Sequence, residues 1–84
     1  MKVQAEVSLY PLRQKNLAKP VNSFCDLLQK GEIEVRTGPM SSLIMGESDM
    51  IFRSLKEAFE KLAKEYQIVL IAKISNACPE SKKE

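Results

Sequence analysis

The chain of 84 residues contains no histidine. Its absence removes the commonest general base and the commonest metal ligand together, so any catalytic reading must manage without imidazole. Cysteine is scarce as well. Cys25 and Cys78 fall in different predicted elements without metal-type spacing, and two cysteines are a poor basis for a disulfide framework. Reduced thiols, no metal and a cytoplasmic location are the expectation. No apolar run approaches the roughly 20 residues a membrane-spanning helix needs. The start of the chain alternates instead of forming the apolar segment of a signal peptide, so no membrane insertion is expected. An excess of one charge is missing too: 13 basic against 11 acidic residues leave +2, too little and too evenly spread for a nucleic-acid footprint.

At this length one domain is expected, over residues 1–79, with 80–84 a charged C-terminal tail. A single core is barely sufficient in a chain this small, and oligomerisation often supplies the remaining burial.

What the chain does have is clear periodicity. Residues 2–10 alternate strictly, Val3, Ala5, Val7 and Leu9 to one side and Gln4, Glu6, Ser8 and Tyr10 to the other, as in a strand with one face on a core. Pro11 closes it. From Pro20, Val21, Phe24, Leu27 and Leu28 recur at helical spacing beside Cys25, and Gly31 suits a left-handed position after the helix. Residues 32–37 and 41–47 read as two strands of a hairpin about Gly38-Pro39, with Gly46 marking a bulge or a close backbone approach. Ser48 or Asp49 can cap a second helix, in which Ile51, Phe52, Leu55, Ala58, Phe59, Leu62, Ala63 and Tyr66 recur at intervals of three and four. Its outer face offers the ion pairs Glu57–Lys61 and Glu60–Lys64. The last strand, 67–75, is apolar on both faces and needs cover on both.

Strand, helix, strand, strand, helix, strand, joined by right-handed crossovers, predicts an α+β fold: a ferredoxin-like βαββαβ sandwich, a four-stranded antiparallel sheet with two helices on one face. The other face stays open. Gln4, Glu6, Ser8 and Tyr10 lie there beside apolar side chains of the last strand, a poor solvent surface and a good interface. A homodimer or a dimer of dimers through the sheet follows as an expectation.

Three segments carry a resemblance. Val7-Ser8-Leu9-Tyr10-Pro11-Leu12, Gly38-Pro39-Met40-Ser41-Ser42-Leu43-Ile44-Met45-Gly46-Glu47 and Ile74-Ser75-Asn76-Ala77-Cys78-Pro79 together resemble the YkoF-like thiamine and hydroxymethylpyrimidine binding proteins. The segments sit at matching places in the βαββαβ order. The chain is also similar to single-repeat thiamine-binding proteins in the Gly-Pro-Met turn and the Gly-Glu ending of the third strand. It departs from the YkoF pattern in having one repeat where that protein has two in tandem. The resemblance implies ligand binding on the sheet without catalysis or cofactor, association of repeats through their sheets, and a role in uptake or handling of the thiamine pyrimidine, with a thiamine-precursor transporter as a further partner.

An aminopyrimidine presents ring-nitrogen acceptors beside an amino donor on a flat body. Its recognition needs hydroxyl or amide groups, a carboxylate and an apolar slab. Ser8, Ser42 and Asn76 are the hydroxyl and amide candidates. Tyr10 can stack or hydrogen-bond, Glu6 or Glu47 can accept from the amino group or face a thiazolium charge, and Met40 is a soft wall. Each position has an ordinary reading beside it: Ser8 and Glu6 as outward strand residues, Tyr10 as interface packing, Glu47 as a charge favouring the second helix's start, Asn76 as a strand terminator. Cys78 reads as a buried small hydrophobe, a pocket residue or, least favoured, a nucleophile, because nothing evident would lower its pKa.

Two other functions compete. A structural protein-protein interaction module would use the sheet face only to join copies or dock a partner. A ferredoxin-like acylphosphatase would need an anion-binding loop after the first strand, where Arg13 is the only arginine and no glycine shapes the connection. Gly38-Pro39 lacks the glycines and the Gly-Lys-Ser or Gly-Lys-Thr of a phosphate-binding loop.

Overall fold

The computed structural model describes residues 1–77. Cys78, Pro79 and the tail from residue 80 lie outside the described residues. The elements are β1 (Lys2–Leu12), α1 (Ala18–Gln29), β2 (Glu34–Thr37), β3 (Ser42–Glu47), α2 (Ser48–Ala63) and β4 (Gln67–Ser75). The strands form one antiparallel sheet in the order β2-β3-β1-β4. Both helices pack on one face, giving the ferredoxin-like sandwich expected from the element order.

The core follows from the two periodicities meeting. Val3, Ala5, Val7 and Leu9 from alternate positions of β1 join Ile44 of β3, Phe24 and Leu28 of α1, and Ile51, Leu55, Ala58 and Leu62 of α2. Leu28, Ile44 and Ile51 are fully buried. Ile33, Val35, Ile68 and Leu70 pack at the margins, so β2 and β4 are anchored on the helix side only.

Several element ends differ from the sequence reading, each for a local reason. α1 starts at Ala18, two residues before Pro20, because Asn16 Oδ1 accepts hydrogen bonds from the backbone N–H groups of Ala18 and Lys19 at 3.1 and 3.3 Å. Those are donors a new helix leaves unpaired. Pro20 still falls in the first turn, where its missing N–H costs nothing. Gly31 has no positive φ. The helix instead closes through Lys30 and Gly31 N–H groups on Leu27 and Leu28 carbonyls, at 3.3 and 3.1 Å. Glycine here leaves room for α2: a Cβ at Gly31 would lie 2.6 Å from Ser54 Oγ, so the hydroxyl would have to turn aside.

Neither Ser48 nor Asp49 caps α2. Glu47 is the cap residue and makes no side-chain cap bond, while the Ser48 N–H donates to the Met1 carbonyl at 2.8 Å. The start of the chain thus does the work expected of a side chain. Tyr66 lies just beyond α2, half-buried against the core. On the outer face Glu60 pairs with Lys56 at 3.3 Å and not with Lys64, and Glu57–Lys61 does not close among the described residues. Gly46 meets the close approach expected of it, since a Cβ there would sit 3.2 Å from Ile33 Cγ2. Cys25, beside the apolar residues of α1, is half-buried. Among the described residues no helix is long and apolar enough to cross a membrane.

Candidate functional site

The register decides which side chains share the open face. Tyr10 pairs with Val69, Ser8 with Ile71, Glu6 with Lys73 and Gln4 with Ser75 across β1 and β4. On the other flank Glu6 pairs with Leu43 and Gln4 with Met45. The polar row of β1 is therefore bordered by Val69, Ile71 and Leu43, which are 41, 49 and 36 % exposed. Aliphatic side chains thus stand exposed around a polar strip.

One end of this face holds an open cleft of about 320 Å3, lined by Glu6, Ser8, Tyr10, Met40, Ser41, Ile71 and Lys73. Four residues singled out in the sequence, Glu6, Ser8, Tyr10 and Met40, meet there. The floor is ordered by Glu6: Oε2 accepts a hydrogen bond from the Ser41 hydroxyl at 2.9 Å, and Oε1 lies 3.7 Å from Lys73 Nζ. The turn that carries Met40 and Ser41 is closed by the Gly38 N–H donating to the Ser41 carbonyl at 2.8 Å. Met40 is 88 % exposed.

The remaining sequence candidates lie elsewhere. Strand alternation sends Ser41 toward the open face and Ser42 to the helix side. There Ser42 is 6 % exposed, with its Oγ 3.7 Å from Cys25 Sγ. It lines a separate pocket of about 210 Å3 together with Ser8, Met40, Cys25 and Phe24. Glu47 pairs with Lys2 in the ladder and binds the Met1 ammonium at 3.0 Å. Lys2 and Ser8 are six residues apart on one strand, about 20 Å at roughly 3.3 Å per residue. Asn76 follows Ser75, the partner of Gln4, and so stands at that same far end. Cys78 is outside the described residues. Two clefts of about 310 Å3 between α1 and α2 involve Leu27, Lys30 and Lys61, and none of the sequence candidates.

Ser41, Ile71 and Lys73 were not singled out from the sequence as site residues. Lys73 did leave a signal: it is the only charged residue of β4. Arg13, the residue an acylphosphatase reading would need, has a φ of 53° and hydrogen-bonds Gln67 at the end of the β1–β4 ladder.

A family model for the YKOF-related family matches residues 2–81, nearly the whole chain. The chain belongs to the YkoF-related family. Solved structures agree in fold. A hypothetical protein of Methanocaldococcus jannascii is 28 % identical with a TM-score of 0.83, the match covering 94 % of this chain and 84 % of that one. A protein of Streptococcus pneumoniae is 26 % identical with a TM-score of 0.84, covering 99 and 93 %. A candidate thiamine biosynthesis/salvage protein of Thermotoga maritima is 19 % identical with a TM-score of 0.81, covering 89 and 83 %. No curated protein matches this chain.

Proposed function

We propose that this YkoF-related protein binds thiamine or its hydroxymethylpyrimidine moiety, without catalysis, at the open sheet face of an oligomer, in thiamine uptake or handling. The observation that carries the reading is the meeting of Glu6, Ser8, Tyr10 and Met40 in one cleft. Those groups are the carboxylate, hydroxyl, aromatic ring and soft wall that a flat aminopyrimidine requires. Family membership and the name borne by the Thermotoga maritima neighbour lend it support. The exposed Leu43, Val69 and Ile71 beside the cleft suit burial by a second copy, which would exclude water from the bound ring.

The same aliphatic surface favours a second reading, an interaction module that oligomerises through its sheet with no small-molecule ligand. Isothermal titration calorimetry of the reduced protein with thiamine, and separately with hydroxymethylpyrimidine, separates the two. Saturable binding, about 8 kcal/mol at a micromolar dissociation constant, is expected. No heat from either ligand at two temperatures, with protein shown to be folded and oligomeric, selects the interaction module.

A further inference from the structure

Charge is unevenly committed on the open face. One transverse row of the sheet, followed through the ladders from β2 to β4, runs Arg36, Leu43, Glu6, Lys73. It holds two cations and one carboxylate. Arg36 is satisfied within its own strand, where its Nε and Nη2 both meet Glu34 Oε2 at 3.1 Å. Lys73, among the described residues, has Glu6 alone, and at 3.7 Å that pair is longer than a hydrogen bond. The Lys73 side chain is 80 % exposed. Its ammonium therefore keeps donors uncommitted at the rim of the open-face cleft.

Glu6 is committed in the opposite sense. Its Oε2 accepts from the Ser41 hydroxyl at 2.9 Å, and its Oε1 faces Lys73. A carboxylate has about four lone-pair sites, so it can still accept from a neutral amino group. Its charge, however, is balanced inside the cleft. Ser8 and Tyr10 add two hydroxyls to the lining, and neither is hydrogen-bonded among the described residues. The groups left to meet a ligand are thus an ammonium, which only donates, and two hydroxyls. Ser8 stands opposite Ile71 and so diagonal to Lys73 in the β1–β4 ladder. Such neighbours are roughly 7–8 Å apart, within reach of a long side chain, so the two can share one substituent.

Building on the ligand-binding reading above, we propose that Lys73 makes the cleft select its ligand by charge, favouring the phosphate monoester of the pyrimidine alcohol and opposing the permanent cation of a thiazolium. A phosphate monoester carries about −1.5 to −2 charges at pH 7 and three strong acceptor oxygens, the complement of an ammonium beside hydroxyls. A thiazolium meets Lys73 and finds no uncompensated carboxylate. The ring keeps Glu6 and Tyr10, as in the functional reading, and Lys73 reads the substituent. Cover by a second copy lowers the effective dielectric around the pair and enlarges the discrimination.

Calorimetric affinities of the wild type and of Lys73→Met for hydroxymethylpyrimidine, its phosphate monoester and thiamine test this. The wild type is expected to bind the monoester about tenfold more tightly than the alcohol. Lys73→Met keeps the stem and removes the charge. It is expected to bring monoester and alcohol within about twofold of one another and to strengthen thiamine binding about threefold, with the alcohol itself changed by less than about threefold. Raising the salt from about 50 to about 500 mM is expected to shrink the wild-type preference, because the Lys73 ammonium is exposed to screening. Lys73→Gln, titrated in parallel, carries the same test if the methionine variant associates non-specifically. A monoester bound no more tightly than the alcohol overturns charge selection and leaves the ligand-binding reading standing. So do monoester and thiamine affinities that fail to move in opposite directions when Lys73 is neutralised. Absence of binding by all three ligands overturns the reading and the inference together.

Discussion

The Ser41 hydroxyl donates to Glu6 Oε2 at 2.9 Å, tying the β2–β3 turn to the middle of the polar row on β1. The β1–β3 ladder is already complete at Val7–Ser42, one residue short of Ser41. The bond therefore holds the turn over the open face rather than extending the sheet. It orients the carboxylate and positions Met40 at once.

Removing that tie tests whether the turn belongs to the site. Ser41→Ala is expected to weaken thiamine or hydroxymethylpyrimidine binding roughly three- to tenfold, the value of one hydrogen bond. Stability, read from urea unfolding, should change by no more than about 0.5 kcal/mol because the pair is exposed. An unchanged affinity would remove the turn from the ligand's surroundings.

Glu47 provides the converse control. Its carboxylate is bound by the Met1 ammonium at the opposite end of β1 from Ser8, and both partners are well exposed. Glu47→Gln should leave calorimetric affinity within error of the wild type, with stability lowered by less than about 1 kcal/mol. A tenfold loss would show that this end of the sheet reaches a ligand in the assembly.

Gly31 and Ser54 are expected to couple. An added Cβ at Gly31 would lie 2.6 Å from Ser54 Oγ but 3.6 Å from Ser54 Cβ, so the conflict is with the hydroxyl alone. Gly31 has no positive φ, and alanine there should by itself stabilise by about 0.4–1 kcal/mol through the unfolded chain. Gly31→Ala should be more favourable in a Ser54→Ala background than in the wild type by about 0.5–1.5 kcal/mol in a double-mutant cycle. Strict additivity would mean that Ser54 rotates away without cost.

Val69 tests the assembly. It is 41 % exposed on the open face, beside Tyr10 in the ladder. Val69→Glu should keep the far-ultraviolet circular dichroism of the folded protein while shifting light scattering from oligomer to monomer, because a charge in the centre of an apolar contact goes unpaired. Retention of the wild-type mass would mean that copies do not associate through this face.

Most of the fold was legible because its signals are local. The alternation of Val3, Ala5, Val7 and Leu9 and the spacing of Ile51, Leu55, Ala58 and Leu62 reflect backbone geometry that each segment carries by itself. Those eight residues line the core as expected. The element ends were less legible where a partner from another segment sets them. The start of α1 depends on Asn16, and the first N–H of α2 is satisfied by the Met1 carbonyl, 47 positions away along the chain. Nothing in the Ser48-Asp49 dipeptide records that bond.

The candidate site divides in the same way. Glu6, Ser8, Tyr10 and Met40 could be grouped from strand parity and the Gly-Pro-Met turn. Lys73 joins them through register alone, since only the Glu6–Lys73 pairing brings a charge from β4 onto that row. Ser41 and Ser42 differ by one residue and by which side of the sheet they serve, and a shift of one residue in register would exchange them.

By itself the sequence determined the elements, their order, the two-faced character of β1 and the apolar character of β4, because each depends on periodicity within a few turns or a single strand. Only the tertiary structure decided that β3 begins at Ser42, opposite Val7, while β1 continues to Leu12, which places a notch beside Ser8. It also decided that Glu47 and Asn76 lie far from Ser8. Strand length and register are set by cross-strand pairing and core packing between segments distant in the chain, and no local pattern encodes which residues finally face one another.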